Sequence, residues 1–341
     1  MRKLVARLRG SKFVRDTLFL QSVTGVSLLT GLASMSALQR GLGPEGYGSW
    51  AVVIRTQELL ALLLSLGLVQ ATVSRLGSAV GARDADRVRD LLAFLARASL
   101  LLNGAAAVAA ALLAPLVARW VLGETDPTLG RLAALLMLML PLGIPSRLVT
   151  VALSGSRRME ELSYYENLAS VVRLALVLVG VGLAGLLAPQ GGWQAVAWIV
   201  GARVVAASVN SVLALALYAH WRVHYRDRGR VDVDLPAMWE ILSRVRRVSM
   251  RKDLPFSIRV GLDKNLAALV AQVPFWLLGH ATTEEERLRA MGALQAAMRI
   301  LSFPVMALGA VSRNTLLKLG ERYGADDARG SWRIFRQVTL V

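Results

Sequence analysis

Eight stretches of this 341-residue chain stay apolar over roughly the 20 residues that a helix needs to cross the hydrocarbon core of a bilayer. They are 17–38, 49–71, 95–118, 132–153, 168–187, 195–218, 257–279 and 290–311. No feature constrains the fold more. In lipid every backbone N–H and C=O must be paired internally, which leaves helices and closed barrels. The period-2 alternation of a transmembrane barrel is missing, so the fold class is an all-α integral membrane protein. Segment 17–38 follows a basic flank, but it is longer than the apolar core of a cleaved signal peptide.

Composition divides cleanly between lipid and water. The chain is 55% hydrophobic, yet its formal charge is +17 with 18% charged residues. Such apolarity excludes a disordered chain, and the lack of Cys excludes a disulfide scaffold. The basic residues collect on every second connection. Arg2, Lys3, Arg7, Arg9, Lys12 and Arg15 precede the first span. Arg75, Arg83, Arg87 and Arg89 follow the second, and Arg157 and Arg158 follow the fourth. Nine Arg and Lys residues lie in the 219–256 connection. The intervening connections are short and neutral or mixed. By the positive-inside rule this predicts a cytoplasmic N-terminus in a multi-pass protein, and it makes nucleic acid an unsuitable partner.

This gives four parts: a basic cytoplasmic tail over 1–16, a six-helix N-terminal lobe over 17–218, a basic linker over 219–256, and the start of a C-terminal lobe over 257–341. Within the linker, Met238, Ile241, Leu242, Val245 and Val248 fall at helical spacing, with Arg244, Arg247 and Arg251 off that stripe. That pattern predicts an amphipathic helix at the membrane surface. Gly48–Arg55 resembles Gly292–Arg299 at an offset of 244, so the first two spans overlay the last two. Parallel repeats of this kind place a site at mid-membrane between halves. The offset also maps Leu91 onto Phe335, so the expectation is an incomplete second lobe: two spans and the start of a third near Phe335.

Charge inside a span is costly and therefore a candidate for function. Arg55 and Glu58 lie one turn apart in the second span and are placed to pair. Arg299 and Gln295 lie in the last, Arg203 in the sixth, and Gln21 begins a polar stripe with Thr24, Ser27 and Ser34 in the first. That stripe fits either a water-lined face or small-residue helix packing. Arg55 and Arg299 hold matching places in the two halves, and their planar forks suit phosphate oxygens. Asp263, Lys264 and Glu58 are the candidates for ion or proton coupling. Arg97, Arg147, Arg173 and Arg259 sit near the inner ends of spans and read as snorkelling side chains. His220 and His224 read as interfacial residues, leaving no metal site and no cofactor motif.

The turn QRGLGPEGYG over 39–48 ends the first span at Gly41 and Gly43 and starts the next helix at Pro44. It resembles the polysaccharide-flippase branch of the multidrug/oligosaccharidyl-lipid/polysaccharide exporter superfamily. Ser65 through Ala71, Arg75, the Arg157-Arg158 loop and the Pro255-Phe256 start are similar to that branch as well. The resemblance implies two six-helix lobes facing a cavity in a bacterial cytoplasmic membrane. It implies flipping of an undecaprenyl-pyrophosphate-linked oligosaccharide by alternating access, for surface polysaccharides such as exopolysaccharide or O-antigen. Partners would be the lipid-linked oligosaccharide, the bilayer and other polysaccharide-assembly proteins. It carries Arg55 and Arg299 over as residues that meet the pyrophosphate.

Two other readings follow from the same chain. A cation-coupled multidrug exporter of this fold would favour intramembrane carboxylates, of which Glu58 and Asp263 are the clear ones. A membrane polymerase or ligase would need a large outer loop or an acidic cluster, and the outer loops are short. The expectation is a transporter rather than an enzyme.

Overall fold

The computed structural model describes residues 12–65, 67–123, 126–189, 191–225, 235–281 and 283–339. Among these the secondary structure is helical throughout, in thirteen helices. They are α1 (Lys12–Ser65), α2 (Leu68–Gly81), α3 (Ala85–Leu122), α4 (Pro127–Leu136), α5 (Met139–Leu142), α6 (Ile144–Gly155), α7 (Met159–Leu187), α8 (Gly192–Tyr225), α9 (Met238–Arg244), α10 (Leu254–Val270), α11 (Val273–Ala281), α12 (Glu284–Gly324) and α13 (Ala328–Thr339).

The buried apolar residues form two main layers. One gathers Leu20, Leu68, Leu76, Leu92, Val151, Met159, Ala214, Tyr218 and Ile241. The other gathers Leu38, Trp50, Val53, Leu122, Leu132, Val177, Val196, Phe275 and Met291. The chain passes back and forth between them. α3 leaves the first layer after Ala98 and ends in the second at Leu122, and α8 runs from Val196 back to Tyr218. α1 is 54 residues long, roughly 80 Å if straight. Instead it folds back: Leu20 lies in one layer, Leu38 and Trp50 in the other, and the chain has returned to the first layer at Leu68, just past the end of α1. The break is at Gly43, with φ 67° and ψ 178°, followed by Pro44. That left-handed φ suits glycine, and the missing N–H of proline starts the second half without a lost bond.

By length and apolar composition alone, four described helices qualify as spans, and five if one bent pair is counted. The difference from the eight expected stretches has local causes. α1 holds two stretches in one helical run. Stretch 49–71 is interrupted at Gly67, whose φ is 63°. Stretch 132–153 divides into α4, α5 and α6, with a 44° bend at Gly143. Pro141 and Pro145 sit on either side of that bend, and neither has an N–H to continue the ladder. Stretch 257–279 is also two helices: α10 stops at Val270 and α11 starts at Val273, with Pro274 removing a bond across the gap.

Two further expectations are corrected. The linker helix is seven residues long rather than a stripe running to Val248, and the chain after Arg244 forms turns. Ile241 is buried as expected, but Leu242 is 58% exposed beside Trp239 at 69%. The last helix begins at Ala328, seven residues before Phe335.

Candidate functional site

The second half of α1 and the start of α12 lie side by side and parallel. Arg289 donates to Glu45 at 2.7 Å, and Arg55 donates to Gln295 at 2.7 Å. Between these contacts Gly48 abuts the carbonyl of Leu288 so closely that a side chain would have no room. A methyl on Gly292 would stand 3.3 Å from the Gly48 amide nitrogen. The two glycines that the internal repeat superposes are therefore the ones at which the helices touch. Small residues permit such backbone approach in membranes.

About two turns beyond Gly48 sits Arg55, its side chain 11% exposed. Its Nε bonds Gln295, and its Nη1 donates to Glu58 Oε2 at 2.8 Å and to Gln272 Oε1 at 3.5 Å. The guanidinium carbon lies 3.9 Å from the ring centroid of buried Phe275. Such a cation over an aromatic face is held more firmly where water is scarce. The break between α10 and α11 is what brings Gln272 and Phe275 here, since both lie at its rim.

Arg55 lies within electrostatic reach of Arg299. Arg203, on α8, feels both Arg173 and Arg299 as well as Glu58, and its guanidinium carbon is 5.8 Å from the Trp50 ring. The Arg203 Nε is buried without a hydrogen-bond partner among the described residues. Arg299 is exposed, and one of its terminal nitrogens would meet a methyl on Gly31 at 3.0 Å. Gly31, in the first half of α1, thus leaves the space that Arg299 occupies. Arg173 feels Arg299 and Glu166. Four guanidiniums from α1, α7, α8 and α12 thus form one electrostatic group, with Glu58 and Glu166 the carboxylates within its reach among the described residues.

Next to this group is a cavity of about 400 Å3. Glu58 and Gln272 line it together with Gln57, Ser99, Asn103 and Arg147. Its wall is made by α1, α3, α6 and the break after α10, so it lies between the first six stretches and the seventh.

Of the residues singled out from sequence, Arg55, Glu58, Arg203, Arg299 and Gln295 come together. Gln21 does not join them. It lies ten residues before Gly31 in the same helix, roughly 15 Å along the axis. Asp263 and Lys264 are in α10, and their side chains lie outside the described residues. Arg97 reaches the linker, donating to Val248 O at 2.8 Å. The sequence puts Arg173 near the end of a span beginning at 168. α7 begins at Met159, so Arg173 is 14 residues in, roughly 21 Å from the helix start, and belongs to the arginine group. Arg147, expected to snorkel, lines the cavity. The signal for Arg173 was the polar run Glu160 to Asn167, which is helical rather than loop. Among the described residues no three His, Cys, Asp or Glu side chains come together to hold a metal.

A family model described as polysaccharide biosynthesis protein matches residues 13–316. The chain belongs to that family. Solved structures with the same fold include a MOP superfamily transporter from Pyrococcus furiosus, with TM-score 0.67 and 20% identity over 96% of this chain and 68% of that one. They also include a MATE transporter in a bent conformation, with TM-score 0.63 and 19% identity over 97% and 69%. A multidrug resistance MATE transporter in an outward-facing conformation gives 0.64 and 20% over 96% and 69%. These identities establish the fold alone: an all-α membrane transporter fold, of which this chain spans about two-thirds of the length of each neighbour. Among curated proteins no relative matches.

Proposed function

We propose that this chain is a flippase for an isoprenoid-pyrophosphate-linked oligosaccharide, moving it between leaflets by alternating access and catalysing no covalent chemistry. The polysaccharide biosynthesis family fits a glycan cargo, and the transporter fold fits movement across the membrane. The observation that carries the reading is the arginine group of Arg55, Arg173, Arg203 and Arg299. A pyrophosphate is a bivalent array of oxygens, and guanidinium forks bind such oxygens in pairs. Desolvation raises the worth of each contact. Arg203 has a buried donor in want of an acceptor, and Arg299 is accessible at the seam between the two parts of the chain. For the Pyrococcus furiosus transporter, reversed polarity of the binding pocket suggests a different function. Pocket polarity is the property that separates the readings here as well.

On this proposal residues 17–218 act as one lobe and 257–341 belong to a second, with the basic end at the cytoplasmic face of a bacterial inner membrane. The test is deletion of the native gene. Surface polysaccharide should be lost, with lipid-linked repeat units trapped at the cytoplasmic face. Normal export in that strain would end this reading.

A second reading, a cation-coupled multidrug exporter, is favoured by one observation. Glu58 is 40% exposed and lines the cavity beside Gln57, Asn103 and Gln272, as a coupling carboxylate would. It predicts drug sensitivity on deletion and loss of coupling in Glu58→Gln.

A further inference from the structure

At the basic end, away from the arginine seam, α3 and the turns after α9 enclose a second cavity of about 370 Å3. Four cationic side chains line it, Arg87, Arg244, Arg247 and Lys252, against two carboxylates, Asp90 and Asp253. The carboxylates are already engaged. Asp253, 3% exposed, takes hydrogen bonds from Arg75 and from Arg87, the latter at 2.7 Å. Asp90 takes Arg244 at 3.0 Å, and Arg244 also bonds Asp86 at 2.8 Å. Arg247 and Lys252 are exposed, with no carboxylate partner among the described residues. The cavity therefore carries surplus positive charge on its rim. Its shape is set from within, since Arg97 on α3 donates to the carbonyls of Arg246 and Val248. Ser249 adds a hydroxyl to the lining.

The neighbourhood says what kind of anion would arrive. α9 is pinned on its polar side, Glu240 to Arg89 at 3.1 Å and Arg244 to α3. Ile241 is buried beneath it. Trp239 and Leu242 project outward, 69% and 58% exposed. An indole and a leucine on the free side of a helix followed by basic turns suit the headgroup–acyl boundary of a bilayer. The cavity thus lies beside an exposed apolar pair.

We propose that this cavity is a binding site for the phosphate of an anionic phospholipid, held by Arg247 and Lys252 with Arg87 and Arg244 behind them. The site is separate from the transported substrate and does not depend on what that substrate is. A bound lipid would tie the linker to the start of α3, the joint between the six-stretch part and α10.

The test is native mass spectrometry of the full chain in neutral detergent with added phosphatidylglycerol or phosphatidylcholine. The wild-type chain should retain phosphatidylglycerol in preference. The double variant Arg247→Ala with Lys252→Ala removes rim charges that make no ion pair among the described residues, so the fold is spared. It should bind phosphatidylglycerol roughly thirtyfold more weakly, about fivefold per charge. Asp90→Asn, which removes a competing negative charge, should bind it several-fold more tightly. Equal retention of the two lipids by the wild type, or full retention by the double variant, would overturn the proposal. Displacement of the lipid by millimolar inorganic phosphate would overturn the lipid assignment in favour of a free anion.

Discussion

Arg55 is the residue whose surroundings most limit what can replace it. It uses separate nitrogens for Gln295 and Glu58 while its plane lies over Phe275. A lysine has the charge but not the planar fork, so it cannot satisfy these partners together. Arg55→Ala should abolish complementation of export while the protein still inserts, and Arg55→Lys should restore it only in part. Surface polysaccharide and membrane abundance, measured together, decide this. Full export with Arg55→Ala would return the residue to a packing role. Gly48 makes a different demand, which is steric. A side chain there collides with the backbone of Leu288, and backbone cannot swing aside as a flexible side chain can. Gly48→Val should destabilise the seam by about 1–3 kcal/mol, the range for overpacking. The melting temperature in detergent should fall by several degrees, whereas Gly31→Ala should leave it nearly unchanged, because only the tip of Arg299 needs to move.

Elements show where sequence reasoning succeeds and where it stops. The apolar stretches were legible because a span needs a long apolar run, and composition reports that directly. The breaks at Gly67, Gly143 and Val270 were not. Pro and Gly are common in membrane helices, and whether one bends, breaks or is tolerated depends on the neighbours that take up the freed backbone groups. The pairing of Arg55 with Glu58 was legible as a local spacing, while Gln272 and Phe275 come from a broken helix more than 200 residues away. Helix starts were misplaced where the first turns are polar, as at Met159, and that error hid Arg173. The short helix α9 is held by ion pairs to α3 as well as by burial of Ile241. Hydrogen bonds from Arg244 hold the Asp86 carboxyl below its ordinary range. A carboxylate with a lowered folded pKa contributes stability above its unfolded value and loses it as pH falls through the folded one. Amide protection of α9 should therefore be flat from pH 8 to pH 5 and fall only below about pH 4. At neutral pH, in detergent without anionic lipid, Asp86→Asn with Asp90→Asn should raise α9 exchange a few-fold, as expected for exposed ion pairs. Unchanged exchange in the double variant would show that Ile241 alone seats the helix.

For the molecule as a whole, alternating access requires that contacts at one end of the seam part while those at the other hold. The candidate for parting is the end away from the basic layer, where Glu45 meets Arg289 at 2.7 Å with both side chains well exposed. An exposed pair contributes at most about 1 kcal/mol, so it is a latch easily released rather than a fastening. The same helices are held further in by the Gly48–Gly292 contact and by Arg55 with Gln295. Opening at this end must therefore disturb the partners of Arg55, which links the gate to the arginine group. The chain has no native cysteine, so a paired substitution is clean. Glu45→Cys with Arg289→Cys, joined by a short reducible bifunctional thiol reagent, should halt export, and reduction of the link should restore it. Each single cysteine treated in the same way should export normally, which separates the effect of the link from that of lost charge. Undiminished export with the link formed quantitatively would mean that α1 and α12 do not separate here during transport. Opening would then have to occur around this contact, with the two helices moving as one body.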